Sequence, residues 1–282
     1  MINVLKPGIH TSFQDMGRYG YRNRGVPLSG AMDRYSAQLA NQLVGNNRGD
    51  AVLEIMLRGP ELHLEEPACI ALTGALFDVT VGGKSLPLNQ AVSVPAGSTL
   101  KWGRCKQGVY GYMAVSGGFD IEKVFESYAY FEQIAPHLKL QKGDTLMLKS
   151  TEQCSDHHAS VQQPDILLEE DTLEVYLGAE YASLAPEMQQ LLTSTAVKVG
   201  KDSNRMAYSL IHSENLRADE IITGAVQPGT VQLTPSGSLF VLMRDAQTTG
   251  GYARVLQLSE TALNRLAQKR PGEEVRFEMV GV

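Results

Sequence analysis

The 282-residue chain lacks most of the signals that assign a functional class at once. Its three cysteines, Cys69, Cys105 and Cys154, are an odd number with no C-x-x-C pair, which speaks for reduced thiols and against a disulfide framework. None of its six histidines falls in an H-x-H or H-E-x-x-H pattern, so spacing reveals no metal site. His157 and His158 sit in a polar stretch and read as solvated. The formal charge is -6 and Lys and Arg are scattered, leaving no electrostatic footprint for a phosphate backbone and no nucleic-acid partner. No apolar run approaches the roughly 18 residues that span a bilayer. The start, Met-Ile-Asn-Val-Leu-Lys-Pro-Gly, has no basic head leading into an apolar core, so a cytoplasmic location with no membrane partner is expected. There is no P-loop, no G-x-S-x-G elbow and no recognisable triad context, which disfavours covalent serine or cysteine catalysis.

What is present is a chain 43% hydrophobic, rich in short alternating runs punctuated by Gly and Pro. Cys69–Thr73, Phe77–Val81, Ala91–Val94, Val109–Val115 and Thr145–Leu148 read as antiparallel strands of a barrel or sandwich. The polar stretch Ser150 to Asp165 reads as a linker. Four signposts recur in the same order on both sides of it: "LTGALF" at Leu72 with "YLGAEY" at Tyr176, "VPAGSTL" at Val94 with "TPSGSLF" at Thr234, "YMAVSGGF" at Tyr112 with "LMRDAQTTGGY" at Leu242, and "KGDTLML" at Lys142 with "PGEEVRF" at Pro271. Two similar β-barrel-like halves follow from that shared order. Helices are few. "MDRYSAQLANQLVGN" places Tyr35, Leu39 and Leu43 on one face, with Gly45 past its end. "SETALNRLAQKRPG" starts at an N-cap, Ser259, buries Leu263, Leu266 and Ala267 and stops before Pro271. A shorter helix begins near Pro186 and uses Met188, Leu191 and Leu192.

Two segments carry more polar chemistry than a chain reversal needs. Thr11 to Ser36 holds four glycines and four arginines in an ordered loop, and its arginines could clamp a carboxylate or phosphate with paired N–H donors. Equally, Asp15 and Arg18 could pair with each other or brace a domain contact. "MRDAQTTGGYARV", Met243 to Val255, combines Gly250 and Gly251, which allow neighbouring N–H groups to converge on an anion, with the hydroxyls of Thr248 and Thr249 and the amide of Gln247. Asp245 could orient an amine or act as a base. The alternative is a structural loop in which Asp245 and Gln247 satisfy backbone groups. "SNRMA", Ser203 to Ala207, adds Arg205 in a polar setting.

At these segments the chain resembles the biotin-dependent carboxyltransferase-like family that includes the C subunit of 5-oxoprolinase, the KipI antagonist KipA and a region of urea amidolyase. The resemblance is carried by "QDMGRYGYRNRGVPLSGAMD" (Gln14 to Asp33), "LANQLVGN", "LEIMLRGPEL", "SNRMA", "VQPGTVQL", "MRDAQTTGGYARV" and "LAQKRPGEEVRF", in order over nearly the whole chain. It implies a mainly β fold with a few helices, built as two cyclophilin-like β-barrel domains, divided here as residues 1–160 and 161–282. It also implies a hetero-oligomer with the other 5-oxoprolinase subunits: the B subunit, a KipI-like protein, and the A subunit. Together these open 5-oxo-L-proline to L-glutamate with ATP. On that reading Asp245, Gln247, Thr248, Thr249 and Asp15 are catalytic, and Gln14, Arg18, Ser29, Asp33, Arg205, Gly250 and Gly251 bind substrate in a cleft shared with the B subunit. ATP is bound by the complex, no metal site is readable, and biotin is not expected on a chain without a Met-Lys acceptor pair. The two competing readings are a non-catalytic regulator that binds a KipI-like kinase inhibitor, and carboxyl transfer from biotin to a urea-like amide. The chain departs from the family pattern at Asn204, Ala207, Arg244 and Ala253. "VFESYAYFEQIAPHLKLQKGD", covering Phe125–Gly143, replaces a longer Gly-rich stretch with a Ser-Arg-Ser-Thr-like run.

Overall fold

A computed structural model describes residues 1–150 and 166–281. The expected linker, with Cys154, His157 and His158, lies outside the described residues except for Ser150. The chain forms two compact units, Met1–Arg18 with Ser29–Asp165, and Tyr19–Leu28 with Ile166–Val282. Tyr19–Leu28, which the sequence reading keeps inside residues 1–160, thus groups with the second unit. The architecture is mainly β, as expected.

The first unit is a curled nine-stranded sheet. Its strands are β1 (Ile2–Lys6), β2 (His10–Gln14), β3 (Val52–Met56), β4 (Glu61–Leu64), β5 (Ala68–Val81), β6 (Lys84–Ser85), β7 (Ala91–Val94), β8 (Thr99–Val115) and β9 (Thr145–Leu146). Side-chain alternation decides which face closes inward. Leu62 and Leu64 of β4 are buried while Glu61 and His63 are not, and Ile2 lies opposite both Leu64 and Leu146. Along the path β2-β3-β8-β4-β1-β9 the inward residues meet as one core, including Phe13, Leu53, Ile55, Ile70, Leu100, Trp102 and Met113. The two runs expected as separate strands, Cys69–Thr73 and Phe77–Val81, form one strand, β5. Gly74 between them takes φ 83°, and the register against β8 shifts there; a bulge bends the strand where a turn was expected. Helix α1 (Arg34–Leu43) is capped by Asp33, whose side chain accepts from the Ser36 N–H. Its buried stripe is Ser36, Ala37, Leu39, Ala40, Asn41 and Leu43, and Tyr35 is 41% exposed, which corrects its expected place on the packed face. Small residues let this helix sit close to β5 and β8, and that contact line excludes the large ring.

Cys69 is disulfide-bonded, which corrects the expectation of three reduced thiols. An odd count still permits one bond, and the half-buried Cys105 keeps its thiol, which donates to the Gln107 carbonyl at 3.1 Å.

The second unit is a closed barrel in the order β10-β17-β14-β15-β12-β11-β18. Its strands are β10 (Thr172–Leu177), β11 (Val197–Val199), β12 (Ala207–Ile211), β14 (Thr230–Leu233), β15 (Leu239–Leu242), β17 (Ala253–Leu258) and β18 (Glu274–Met279), with a separate ribbon of β13 (Gly224–Ala225) and β16 (Thr249–Gly250). The β10–β18 pair is parallel and closes the barrel. Strict alternation fills it: Val275 and Phe277 point in from β18 between exposed Glu274, Arg276 and Glu278. Closure leaves no long bare edge. A short helix, α2 (Ile166–Glu169), precedes β10. Helix α3 (Pro186–Ser194) buries Leu192. Helix α4 (Glu260–Ala267) forms as read, with Ser259 accepting from the Ala262 N–H and Leu263, Leu266 and Ala267 buried. One of the internal echoes corresponds to like structure. "VPAGSTL" and "TPSGSLF" each make a strand–turn–strand with a left-handed glycine, Gly97 and Gly237. No described helix is long and apolar enough to cross a membrane.

Candidate functional site

In the first unit, strand β2 delivers Gln14 and Asp15 to the turn Ser29–Asp33, whose Ala31 N–H donates to the Asp15 carbonyl at 2.8 Å. A Cβ on Gly30 would stand 2.8 Å from the Gly17 nitrogen, so only glycine permits this approach. A buried carboxylate holds the turn from below. Glu54 Oε2 accepts from the Met32 N–H at 2.7 Å and from the Tyr112 hydroxyl at 2.9 Å, while that hydroxyl accepts the Asp33 N–H at 2.8 Å. Glu54 and Tyr112 lie directly opposite on β3 and β8. Burial, reinforced by the neighbouring Glu54 charge, pushes the Tyr112 phenol well above its ordinary range.

Asp15 and Arg18 both grip the segment Val124–Ala129. Asp15 accepts from Ser127 Oγ and from the Tyr128 N–H, each at 2.7 Å, and also from the Gly17 N–H at 2.7 Å. Arg18, fully buried, donates to the Val124 carbonyl at 3.3 Å and to the Ala129 carbonyl. Asp33 spends both carboxylate oxygens on Ser36, at 3.1 and 2.6 Å. Two oxygens in this cluster stay unsatisfied. Gln14 Oε1 and Ser29 Oγ belong to fully buried residues and make no hydrogen bond; such a group costs about 1–3 kcal/mol. Ser29 also sits at φ 54°.

In the second unit, Asp245 accepts two charge-assisted bonds from Arg205, Nε–Oδ2 2.7 Å and Nη2–Oδ1 3.1 Å. Both side chains are 10% exposed. This fork anchors the Met243–Val255 loop to the "SNRMA" segment, supported by N–H bonds from Met243 to Met206 and from Asp245 to Arg205. A carboxylate so engaged orients its partner. The buried Arg244 donates to both Glu260 oxygens, at 3.1 and 2.6 Å, and to Asn264 at 2.9 Å on α4; this accommodates one departure from the family pattern. Gln247 Oε1 is buried without a partner. Thr248 and Thr249 pass into the ribbon, where Thr249 lies opposite Ala225 and Gly250 opposite Gly224.

The expected cradle of glycine N–H groups does not form. Neither Gly250 nor Gly251 takes a left-handed φ; Gly250 pairs with Gly224 of β13, and Gly251 follows in a bend. A Cβ at 250 would lie 2.6 Å from Gln232 Nε2, the end of a side chain that must shift to admit it. Near the ribbon, Arg254 forks onto Glu180 at 2.8 and 2.5 Å and donates to the Ala225 carbonyl at 3.0 Å. The Arg254 hydrogen bonds hold the Glu180 carboxyl below its usual range and raise the guanidinium in turn. A cavity of about 280 Å³ opens here, lined in part by Leu177, Gln227, Thr230 and Arg254.

Residues 24–279 match the family model described as carboxyltransferase domain, subdomain A and B. The chain belongs to this family. Among curated relatives, the C subunit of 5-oxoprolinase from Haemophilus influenzae is 29% identical over all of this chain and 92% of its own length. The solved structure of TTHA0988 superposes with TM-score 0.88 at 30% identity, over 98% of this chain and 55% of that one. The Kluyveromyces lactis urea carboxylase structure gives TM-score 0.90 at 26% identity, over 99% of this chain and 27% of that one. The chain therefore spans about half of one solved relative and about a quarter of the other.

The sequence reading missed Glu54, Tyr112 and the Arg254–Glu180 fork. Glu54 carried a usable signal, a lone carboxylate inside the apolar run Val52–Met56. The fork carried none, since its partners lie 74 positions apart. Among the described residues no group of three or more His, Cys, Asp or Glu is placed to hold a metal.

Proposed function

We propose that the chain is the C subunit of an ATP-dependent 5-oxoprolinase, which opens 5-oxo-L-proline to L-glutamate in complex with the A and B subunits of that enzyme. A lactam is a resonance-stabilised amide. Opening it needs activation of the carbonyl oxygen, which phosphorylation by ATP supplies with release of ADP; water then adds at the carbonyl carbon, C–N cleaves with protonation of the nitrogen, and a second water hydrolyses the resulting acyl phosphate to release phosphate. Donors aimed at the oxygen that gains charge lower that barrier. On this reading the second unit offers the hydroxyls of Thr248 and Thr249 to the charged oxygens and Gln247 to the attacking water or the phosphoryl group. The first unit separately offers the Ser29 hydroxyl and the Gln14 amide to a bound ligand. Arg18 with Asp15 in the first unit, and Arg205 with Asp245 in the second, hold these side chains in place. Asp33 positions α1, and Gly250 and Gly251 carry the loop close to Gln232.

The observation that carries the reading is where buried oxygens go unsatisfied. Gln14 Oε1, Ser29 Oγ and Gln247 Oε1 all lie in the segments the sequence singles out. Native proteins leave few such groups, and ligand sites are where they are tolerated. The Haemophilus influenzae relative, named for 5-oxoprolinase, supplies the reaction class. Co-expression with the A and B subunits, followed by measurement of glutamate formed from 5-oxoproline and ATP, tests it; an intact complex with no turnover rejects it.

Carboxyl transfer to a urea-like amide is favoured instead by the family description and by the likeness to urea carboxylase. It requires affinity for a separate biotinylated carrier, measurable by pull-down.

A further inference from the structure

The β13–β16 ribbon is too short to support itself. It has two residues in each strand and stands apart from the barrel sheet, and a lone strand pair is barely stable in water without something to pack on. Past its paired positions, the Val226 N–H donates to the Thr248 carbonyl at 3.1 Å and the Ile221 N–H to the Gly251 carbonyl at 2.9 Å. Thr248 and Thr249 therefore stand wherever the ribbon is placed. Ala225 and Val226 line the cavity of about 280 Å³ together with Leu256 and Gln257 of β17. Where that cavity separates them, packing does not fasten the ribbon to the barrel.

A guanidinium bridges the two. Arg254 of β17 donates through Nη1 to the Ala225 carbonyl at 3.0 Å, and Ala225 is the residue opposite Thr249. Gly224 makes room for it, since a Cβ there would lie 2.9 Å from Nη1 and 3.0 Å from Cζ of Arg254. The guanidinium cannot swing aside. Glu180 accepts from its Nε and Nη2, and from the Arg254 main-chain N–H at 2.9 Å. Glu180 is fixed in turn: its N–H donates to the Arg254 carbonyl at 3.1 Å, and its own carbonyl accepts from the Ser183 N–H and hydroxyl at 3.1 and 2.7 Å. One residue further along, Arg22 donates to the Val226 carbonyl, so arginines hold two consecutive carbonyls of this segment. We propose that Arg254, aimed by Glu180, is a positioning residue that sets the ribbon, and with it the Thr248 and Thr249 hydroxyls offered to the charged oxygens of the reaction. Its consequence for turnover rests on the functional reading above, whereas its consequence for the ribbon does not.

The test compares wild type with Glu180→Gln, Arg254→Lys and Gly224→Ala. Amide hydrogen exchange on the full chain follows the ribbon at the Val226 and Ile221 N–H groups, and the barrel at those of Gly229 and Leu258, which bond to the Leu242 and Gly229 carbonyls. Local opening exposes the first pair without unfolding the second, so each variant should speed ribbon exchange by about tenfold or more and leave the barrel amides within about twofold. Arg254→Lys keeps the charge and loses the planar fork. Full ribbon protection in that variant would reduce the role to charge and overturn the proposal, as would unchanged ribbon exchange in all three. In complex with the A and B subunits, displaced hydroxyls should lower kcat by about tenfold or more and leave KM for 5-oxoproline within about twofold, the mark of contacts made only in the transition state. An unaltered kcat in a variant whose ribbon has loosened overturns the link to turnover. A wild-type complex without turnover rejects the functional reading, and exchange then decides the role of Arg254 by itself.

Discussion

Two glycine pairs occupy matching places in the echoed halves, and they do opposite things. Gly117 and Gly118, after β8, both take left-handed φ, 79° and 82°. They turn the chain, and Gly117 donates to Asn46 Oδ1 at 3.0 Å while Gly118 donates to the Val115 carbonyl at 2.9 Å. Gly250 is extended in β16 and Gly251 follows in a bend, neither of them left-handed, and a Cβ on the first would meet the end of the Gln232 side chain. The same dipeptide therefore answers a conformational demand in one unit and a spatial one in the other. Reading the second pair as an anion cradle treats a residue type as if it were a geometry; the neighbours, Asn46 in one case and Gln232 in the other, decide which need each pair meets.

The comparison can be broken most severely at the Arg205–Asp245 fork that anchors the second glycine loop. Arg205→Leu strands a nearly buried carboxylate and should cost about 3–5 kcal/mol in a denaturant titration. The double variant R205L/D245L should recover most of that loss. In the first unit the corresponding support is Tyr112. Tyr112→Phe leaves the Asp33 N–H without its acceptor and should cost about 1–3 kcal/mol. With the phenol raised by burial, its contribution is intact below about pH 10 and erodes above it as the unfolded chain ionises first; the variant should lose that alkaline slope.

Gly118→Ala has open space but a left-handed φ, and should cost about 1–2 kcal/mol. Gly250→Ala meets only the end of the Gln232 side chain, so its thermal shift should be the smaller. The reverse order would mean the two pairs were misassigned. Least of all, the Arg254–Glu180 fork holds a carboxyl below its usual range. Its stabilisation is present above the unfolded-state value and lost as pH falls through the lowered one. Because both partners are partly exposed, Arg254→Met should flatten the acid limb of a stability–pH curve only slightly.

Much of the fold was legible because burial repeats with the period of the backbone. Ala91–Val94 and α4 appear where alternation and the Ser259 cap put them. The long strand β5 was less so, since Gly74 reads equally as a turn and as a bulge. Tyr35 was misplaced because helical spacing identifies a stripe and not the close contact that small residues create. Within the candidate site the sequence singled out polar segments and could not apportion the roles of their residues. Asp15 and Asp245 are acidic residues in polar loops, and only their partners, Ser127, Tyr128 and Arg205, reveal them as braces. Gln14, Ser29 and Gln247 were chosen for their chemistry; that their oxygens lack partners is a fact of the folded arrangement.

The claim that these unsatisfied oxygens face a ligand is tested most directly by Ser29→Ala. That substitution removes one buried hydroxyl and leaves the backbone demand at φ 54° unchanged. With the chain in complex with the A and B subunits, the account predicts an unfolding midpoint equal to or above wild type and kcat/KM for 5-oxoproline lowered at least tenfold. An unchanged kcat/KM in an equally stable variant would contradict it.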